Sequence, residues 1–291
     1  MKKVLLIGAK GQVGQELQVT LPQLGEVISI GREELDLTNS EKIGQLIREI
    51  HPNYLVNSSA YTAVDKAETE PDLAYSINAT APKIMAESAE KIKAKFLHIS
   101  TDYVFDGRKN TPYLETDLTN PLGVYGQSKL RGEEEIKTVN SQAIILRTAW
   151  VYGSYGKSNF VKTMLRLGKE REELKVVVDQ VGSPTWAKDI ATAITQLLIN
   201  ADNPPGIYNF TNSGVASWFD LTKAIFEEAK ISGIPLKIQR VIPITTAEYP
   251  TPAVRPAYSV LSGQKISQQL GYIPPYWRDS LKAMLNQLFN L

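Results

Sequence analysis

The feature that most constrains the fold is a short apolar run that ends in evenly spaced glycines. Val4 to Ile7 is apolar without interruption, and Gly8, Gly11 and Gly14 follow at three-residue spacing. An apolar run of this length is typical of a strand that is buried on both faces. Residues 12–21 then carry apolar side chains at helical spacing. The sequence therefore begins with a buried strand, a glycine turn and a helix.

The same alternation continues through the first half of the chain. Helix-like segments at 40–50, roughly 71–92 and around 130–136 separate strand-like segments at 27–30, 54–56, 96–99 and 143–147. Pro82 is expected to break or bend the second of these helices. Strands and helices in this rhythm predict right-handed crossovers and a parallel sheet covered on both faces. The fold class is α/β, with a Rossmann-type doubly wound sheet.

The regular alternation of strands and helices ends at about residue 150. Helices are expected at 157–170, 187–199, 217–230 and 278–290, with short strands at 175–178, 206–210 and 237–242. The segment from Pro243 to Pro256 contains four prolines and is expected to be extended surface chain rather than helix. We therefore expect a dinucleotide-binding domain over 1–150. A smaller α/β substrate domain is expected mainly over 151–291, with the chain crossing back at least once.

Composition excludes several classes of site. Lys and Arg total 32 against 31 Asp and Glu, and this balance gives no electrostatic reason to expect nucleic acid or an anionic membrane as a partner. The absence of cysteine excludes disulfides, thiolate zinc sites and cysteine nucleophiles, and two histidines, His51 and His98, argue against a multi-histidine metal centre. Because no apolar run approaches the ~20 residues of a membrane span, we expect a cytoplasmic protein.

The glycine turn is suited to a dinucleotide pyrophosphate. A pyrophosphate must approach backbone N–H groups at a helix N-terminus, where a Cβ atom would obstruct it. The third glycine lets the helix pack closely against the strand. At the end of the second strand, where an adenosine ribose is read in such folds, Arg32 favours the 2′-phosphate of NADPH, with NADH left open. Asp36 and Leu37 follow in the loop that would hold the adenine.

A second motif supplies acid–base chemistry. Tyr125 and Lys129 form Y-x-x-x-K, and positions i and i+4 share one face of a helix. Reduction of a ketone requires a proton for the forming alkoxide, and a nearby ammonium is expected to lower the pKa of the phenol. Thr101 lies at the carboxyl end of the fourth strand, where open α/β sheets bind ligands. Ser100 is adjacent, but successive strand side chains face opposite ways, and the spacing to Tyr125 favours Thr101.

These motifs resemble the extended short-chain dehydrogenase/reductases, and among them the family of dTDP-4-dehydrorhamnose reductases. The resemblance runs nearly end to end. It is carried by the segments 8–14, 57–68, 100–107, 125–129, 147–150, 179–185 and 255–256. The family implies reduction of the C4 keto group of dTDP-4-dehydrorhamnose to dTDP-L-rhamnose, a nucleotide-linked deoxysugar.

The resemblance also implies a role for each matching residue. Thr101, Tyr125 and Lys129 are implied as the catalytic residues, and Lys129 would also bind the nicotinamide ribose. The implied cofactor-binding residues are Gly8, Gly11, Gln12, Val13, Gly14, Arg32, Asp36, Leu37, Ala60, Tyr61, Thr62, Tyr125 and Lys129. The implied substrate-binding residues are Val64, Thr101, Asp102, Tyr103, Trp150, Asn159 and Arg255.

Two departures and two alternatives accompany this interpretation. Tyr61 stands where the family often has histidine, and Lys188 stands where some members carry a glutamate that helps bind magnesium at a dimer interface. We therefore expect no metal, and a homodimer stays open.

One alternative is an epimerase or dehydratase of the same superfamily, although Tyr103 after Asp102 argues against a dehydratase. The other is a non-catalytic protein similar to the regulatory subunit of methionine adenosyltransferase.

Overall fold

The protein is described by a computed structural model over residues 1–200 and 203–290. Its strands in these ranges are β1 (Lys3–Ile7), β2 (Glu26–Ile30), β3 (Tyr54–Asn57), β4 (Lys95–Thr101), β5 (Ile144–Thr148), β6 (Val151–Tyr152), β7 (Glu173–Val177), β8 (Val181–Gly182), β9 (Thr185–Trp186), β10 (Gly206–Asn209), β11 (Ala216–Ser217) and β12 (Arg240–Ile244). Its α-helices there are α1 (Gln12–Thr20), α2 (Ser40–Ile50), α3 (Val64–Ala67), α4 (Pro71–Tyr75), α5 (Ala81–Lys91), α6 (Val124–Val139), α7 (Phe160–Glu170), α8 (Ala187–Ile199), α9 (Trp218–Ile231), α10 (Gln264–Leu270) and α11 (Trp277–Phe289).

Six parallel strands form the central sheet in the order β10-β5-β4-β3-β1-β2. The chain leaves β1 toward β2 and then crosses to the other side of β1 to form β3. Ligands of open α/β sheets bind in the crevice outside the carboxyl ends of the strands at such a reversal. The doubly wound α/β fold expected from the sequence is confirmed, and β10 returns to this sheet from beyond residue 200.

Alternate side chains of each strand bury into two separate cores. Val4 and Leu6 of β1 pack with α1 and α8 on one face, and Leu5 and Ile7 pack with α2, α5 and α6 on the other. A strand covered on both faces has no polar side, which explains why the first apolar run of the sequence is uninterrupted.

A third core lies in the part of the chain beyond residue 150. It joins the paired strands β7 and β12 to α7, α9 and α11. Its buried side chains include Tyr152, Val161, Leu174, Trp186, Ile225 and Leu281. Among the described residues, no helix has the length and apolar character needed to cross a bilayer.

Two prolines lie within regular elements of the fold. Pro82 does not end its helix, because one π-helical turn, Ser76–Thr80, lies between α4 and α5 just before it. The wider turn accommodates the missing N–H of proline, and such turns occur often at functional sites. Pro243, expected in extended chain rather than helix, lies within β12 opposite Val176. This position is tolerated because β12 pairs with β7 alone and so has a free edge.

Candidate active site

The turn after β1 cannot accommodate side chains at two of its glycines. Gly8 has φ +90°, and a Cβ atom there would lie 2.6 Å from the backbone nitrogen of Ser59. A Cβ atom on Gly14 would lie 2.1 Å from the carbonyl oxygen of Gly8. Gly11 precedes α1, whose N-terminus has no side-chain cap. Backbone N–H groups at the start of α1 are thus left for an anionic ligand.

The loop after β2 lies next to this turn. Lys10 extends across Gly31 and forms an ion pair with Glu33 at 2.5 Å. Arg32 is exposed at the same edge. The carboxylate of Asp36 accepts hydrogen bonds from the backbone and hydroxyl of Thr38, which lower its pKa. Leu37 is partly buried against the sheet. Arg32 and Asp36 therefore lie where the sequence analysis expected the adenosine end of a dinucleotide.

The segment after β3 is held by residues that the sequence analysis did not single out. Asn78, in the π-helical turn, accepts from the backbone N–H of Tyr61 at 2.8 Å and donates to the carbonyl of Tyr61 at 3.1 Å. Its amide also donates to the Ser128 hydroxyl at 3.0 Å. Glu68 accepts from the backbone N–H of Val124, the first residue of α6, at 2.9 Å. The segment containing Ala60, Tyr61 and Thr62 is thereby fixed to the helix that carries the Y-x-x-x-K motif.

Thr101 and Ser100 point in opposite directions at the end of β4. The Ser100 hydroxyl donates to the buried carboxylate of Glu133 at 2.6 Å, and Glu133 forms an ion pair with Arg147. The Thr101 hydroxyl instead donates to Asp102 at 3.0 Å and forms a hydrogen bond with Tyr125. Thr101 is therefore the hydroxyl that shares a site with Tyr125.

The acid–base groups of this site have shifted pKa values. Burial raises the pKa of Tyr125 to about 12, an effect that the hydrogen bond with Thr101 partly offsets. Burial likewise raises the pKa of Asp102 to about 6. Tyr103 packs edge-on against Tyr125 with ring centroids 5.4 Å apart, and burial raises the pKa of its phenol above the usual range.

Lys129 is placed differently from the sequence-based expectation. We expected its ammonium to lower the pKa of Tyr125, but its Nζ atom lies 3.0 Å from Nε2 of His98 and 2.6 Å from the carbonyl oxygen of Ile99. Lys129 is 1% exposed, and burial lowers its pKa to about 7. Lys129 thus interacts with the sheet beneath the site.

The remaining candidate substrate residues occupy two clusters. Trp150 adopts φ +47° and stacks on Trp218 with ring centroids 3.5 Å apart. Asn159 caps α7 and donates to the side chain of Gln12 at 2.7 Å. Gln12 follows the glycine turn directly, and Val13 after it packs against the core, so this bond joins the turn to the chain beyond residue 150.

The second cluster lies beside Tyr103. Arg255, a candidate substrate-binding residue, forms a two-point ion pair with Asp65 in α3. Val64 precedes Asp65 and is partly exposed. The Nζ atom of Lys188, which stands where some relatives were expected to carry a metal ligand, lies 5.1 Å from the ring centroid of Trp186. Within residues 1–200 and 203–290, no group of three or more His, Asp or Glu side chains could hold a metal ion.

Comparison with solved structures shows close similarity over the whole chain. A dTDP-4-dehydrorhamnose reductase from Clostridium acetobutylicum is 42% identical, with a TM-score of 0.91, and 99% of each chain is covered. The enzyme of the same name from Bacillus anthracis, solved in complex with NADP, is 39% identical with a TM-score of 0.92. That match covers 99% of this chain and 100% of the other.

Sequence comparison gives the same result. The dTDP-4-dehydrorhamnose reductase of Escherichia coli K12 is 44% identical over 293 aligned residues, which cover 98% of each chain. The family model described as RmlD substrate binding domain matches residues 1–290. The chain therefore belongs to the RmlD family.

Proposed function

We propose that this protein is an NADPH-dependent reductase that converts the C4 keto group of dTDP-4-dehydrorhamnose into the hydroxyl of dTDP-L-rhamnose. The observation that carries the proposal is the hydrogen bond between Tyr125 and Thr101 at the carboxyl end of β4. It brings a phenol and a hydroxyl together at the edge of the sheet that also holds the glycine turn, which supports the roles of proton donor and polarising group. Near full-length identity of 44% to a reductase of this name supports the same reaction.

The residues of the glycine turn fit a dinucleotide. Gly8 and Gly14 leave space that a Cβ atom would fill, and the uncapped N-terminus of α1 offers N–H groups to a pyrophosphate. Gln12 and Val13 begin that helix, and the segment 60–62 would border the nicotinamide half. Arg32 would contact the 2′-phosphate, and Asp36 and Leu37 the adenosine. When bound, NADPH supplies the hydride for the carbonyl carbon.

The protein's own groups supply the proton and hold the substrate. Thr101 donates to the carbonyl oxygen and polarises it, and Tyr125 transfers its phenolic proton to that oxygen as the alkoxide forms. Lys129 binds the nicotinamide ribose. Val64, Asp102, Tyr103 and Trp150 border the sugar, whereas Asn159 and Arg255 contact the diphosphate. Residues 151–291 form most of the sugar-nucleotide side of the site.

The direct test follows NADPH absorbance while purified protein meets the 4-keto sugar nucleotide, generated in the cuvette from dTDP-glucose by the two preceding enzymes. We expect one NADPH to be oxidised for each dTDP-L-rhamnose formed, and no oxidation when either preceding enzyme is left out. An epimerase recycles its nicotinamide within each turnover, so product without net NADPH consumption would overturn the proposal. NADH is compared in parallel.

A further inference from the structure

Three buried side chains form a chain of contacts beneath the candidate site. Nζ of Lys129, on α6, lies 3.0 Å from Nε2 of His98 on β4. Nδ1 of His98 lies 3.0 Å from the side-chain amide nitrogen of Asn57 on β3. His98 and Asn57 are fully buried, so water cannot substitute for a missing partner. Each donor among these three side chains must therefore find its acceptor among the protein groups around it.

The orientation of Asn57 is fixed by its other neighbour. The backbone N–H of Ser59 donates to Oδ1 of Asn57 at 3.0 Å, and the Ser59 hydroxyl donates to the same oxygen at 2.5 Å. A backbone N–H can only donate, so the oxygen of the amide faces Ser59 and the nitrogen faces His98. An amide nitrogen also only donates, so Nδ1 of His98 accepts. An imidazole that accepts at Nδ1 is neutral and carries its proton on Nε2.

This tautomer determines the protonation state of Lys129. An ammonium has three donors and no acceptor, and it would face the Nε2–H of His98 at 3.0 Å as one donor against another. A neutral amine offers a lone pair to that N–H and still donates to the carbonyl of Ile99. Burial lowers the pKa of Lys129 to about 7 and the pKa of His98 well below its usual value, in agreement with this geometry.

The charged groups near these three side chains do not alter this arrangement of donors and acceptors. Glu133, on α6, favours the charged form of Lys129, but its carboxylate is occupied by Arg147 of β5 and by the Ser100 hydroxyl of β4. On β3, the residue facing His98 is the uncharged Asn57. His98 is itself influenced by Lys129 and by burial.

We propose that Asn57 and His98 are positioning residues that hold Lys129 as a neutral amine in the ligand-free protein, so that dinucleotide binding takes up one proton from solvent. The proposal rests on the proposed placement of Lys129 at the nicotinamide ribose. There its nitrogen leaves the Nε2–H of His98 and meets hydroxyls that can accept, next to an anionic pyrophosphate. The proton taken up forms the ammonium, whose charge then favours the phenolate that Tyr125 becomes after it gives up its proton.

The tautomer of His98 can be measured without any ligand. The chain has two histidines, and His51 lies exposed in the left-handed position that ends α2, where asparagine is well tolerated. His51→Asn therefore leaves one imidazole in the protein. A long-range proton–nitrogen correlation spectrum should show a protonated Nε2 and a bare Nδ1 from about pH 8 to about pH 9, above the pKa of about 7 of Lys129. A proton on Nδ1, or an imidazolium in this range, would overturn the proposal.

Proton uptake tests the second half of the inference. Calorimetry of NADP⁺ binding at about pH 8.5, in two buffers of different ionisation enthalpy, should show close to one proton taken up by the wild type. His98→Gln can still accept from Asn57 and donate to Lys129, and should retain the uptake. His98→Met offers neither group, so nothing donates toward Lys129 and its ammonium is no longer opposed, although burial still acts on it. The pKa of Lys129 should therefore rise, and in a series from about pH 6 to about pH 9 the uptake should begin at a higher pH than in the Gln variant.

Each outcome bears on this proposal separately from the reductase assignment. Absence of uptake in the wild type, or the same pH dependence of the uptake in the Met and Gln variants, would refute the role of His98. The two measurements require no turnover. A wild-type protein that shows the expected tautomer and uptake but oxidises no NADPH with the sugar nucleotide would contradict the proposed substrate alone.

Discussion

The guanidinium of Arg255 and the carboxylate of Asp65 form a two-point ion pair, with N–O distances of 2.9 and 3.1 Å, across 190 positions of sequence. The same carboxylate accepts from the backbone N–H of Ala253 at 3.2 Å. Arg255 also donates to Thr251 and to the carbonyl of Ala253. One acidic side chain after β3 thus holds the proline-rich segment beside Tyr103.

We expect Asp65→Asn to weaken sugar-nucleotide binding while leaving NADPH binding unchanged. The amide keeps the size of the carboxylate but loses the charge-assisted bonds, each of which contributes about 1.5–3 kcal/mol. Because the pair is partly exposed, the lower value applies, and KM should rise about 10-fold. Glu173→Gln breaks an exposed ion pair with Arg240 and serves as the control. A raised Kd for NADPH with an unchanged KM would contradict this role for Asp65.

Tyr125→Phe should separate chemistry from binding. The variant keeps the ring and its edge contact with Tyr103 but has no proton to give, so kcat should fall by about 10²–10⁴-fold. The Kd of NADPH, measured by fluorescence titration, should change less than about twofold. Tyr54→Phe, at the opposite end of the sheet, controls for loss of a phenol in general. Near-normal turnover by Tyr125→Phe would remove Tyr125 as the proton donor.

Gly14→Ala tests the close approach in the glycine turn. Its Cβ atom would lie 2.1 Å from the backbone oxygen of Gly8, and backbone must move to relieve the overlap. Overpacking of this kind costs about 1–3 kcal/mol, and the displaced turn should bind NADPH at least about 10-fold more weakly. At Gly263 an added Cβ atom meets nothing nearer than 3.9 Å. Gly263→Ala should therefore leave the urea midpoint and the NADPH Kd unchanged, and equal losses in the two variants would contradict the argument.

The pattern of neighbouring residues was sufficient to predict those parts of the protein whose structure depends on a single strand, turn or helix. The apolar run and the three glycines predict β1, its turn and α1. Burial on both faces requires uninterrupted apolar residues, and close packing of the backbone requires glycine, so both features can be recognised in the sequence. The different directions of Ser100 and Thr101 follow from strand geometry alone, and the structure places Ser100 on Glu133.

Contacts between distant elements could not be predicted in this way. His98 and Asn57 look like ordinary members of two strands, and their interaction with Lys129 depends on the order β3-β4 and on α6 packing over it. Asn78 likewise acquires its partners through a π-helical turn that Pro82 signals only indirectly. The available signal is an asparagine within a predicted helix, four positions before Pro82.

Asp102→Asn should stabilise the protein at neutral and alkaline pH. Burial raises the pKa of Asp102 from 3.8 to about 6, so the folded protein binds this proton more tightly than the unfolded chain. The stabilising contribution is complete below about pH 3.8 and is lost as the pH rises through about 6. At about pH 8 the wild type carries a buried carboxylate whose cost is about 3 kcal/mol, and asparagine avoids it.

Urea unfolding of the wild type and Asp102→Asn at about pH 4 and about pH 8 provides the measurement. We expect the variant to gain about 2 kcal/mol over the wild type between these two values, since at about pH 4 the carboxyl of the unfolded chain is already partly ionised. Asp117→Asn should show the opposite trend, because a hydrogen bond from Lys109 lowers the pKa of Asp117 and its stabilising contribution is present only at higher pH. A difference between wild type and Asp102→Asn that does not change with pH would mean that Asp102 has the same pKa in the folded and unfolded protein.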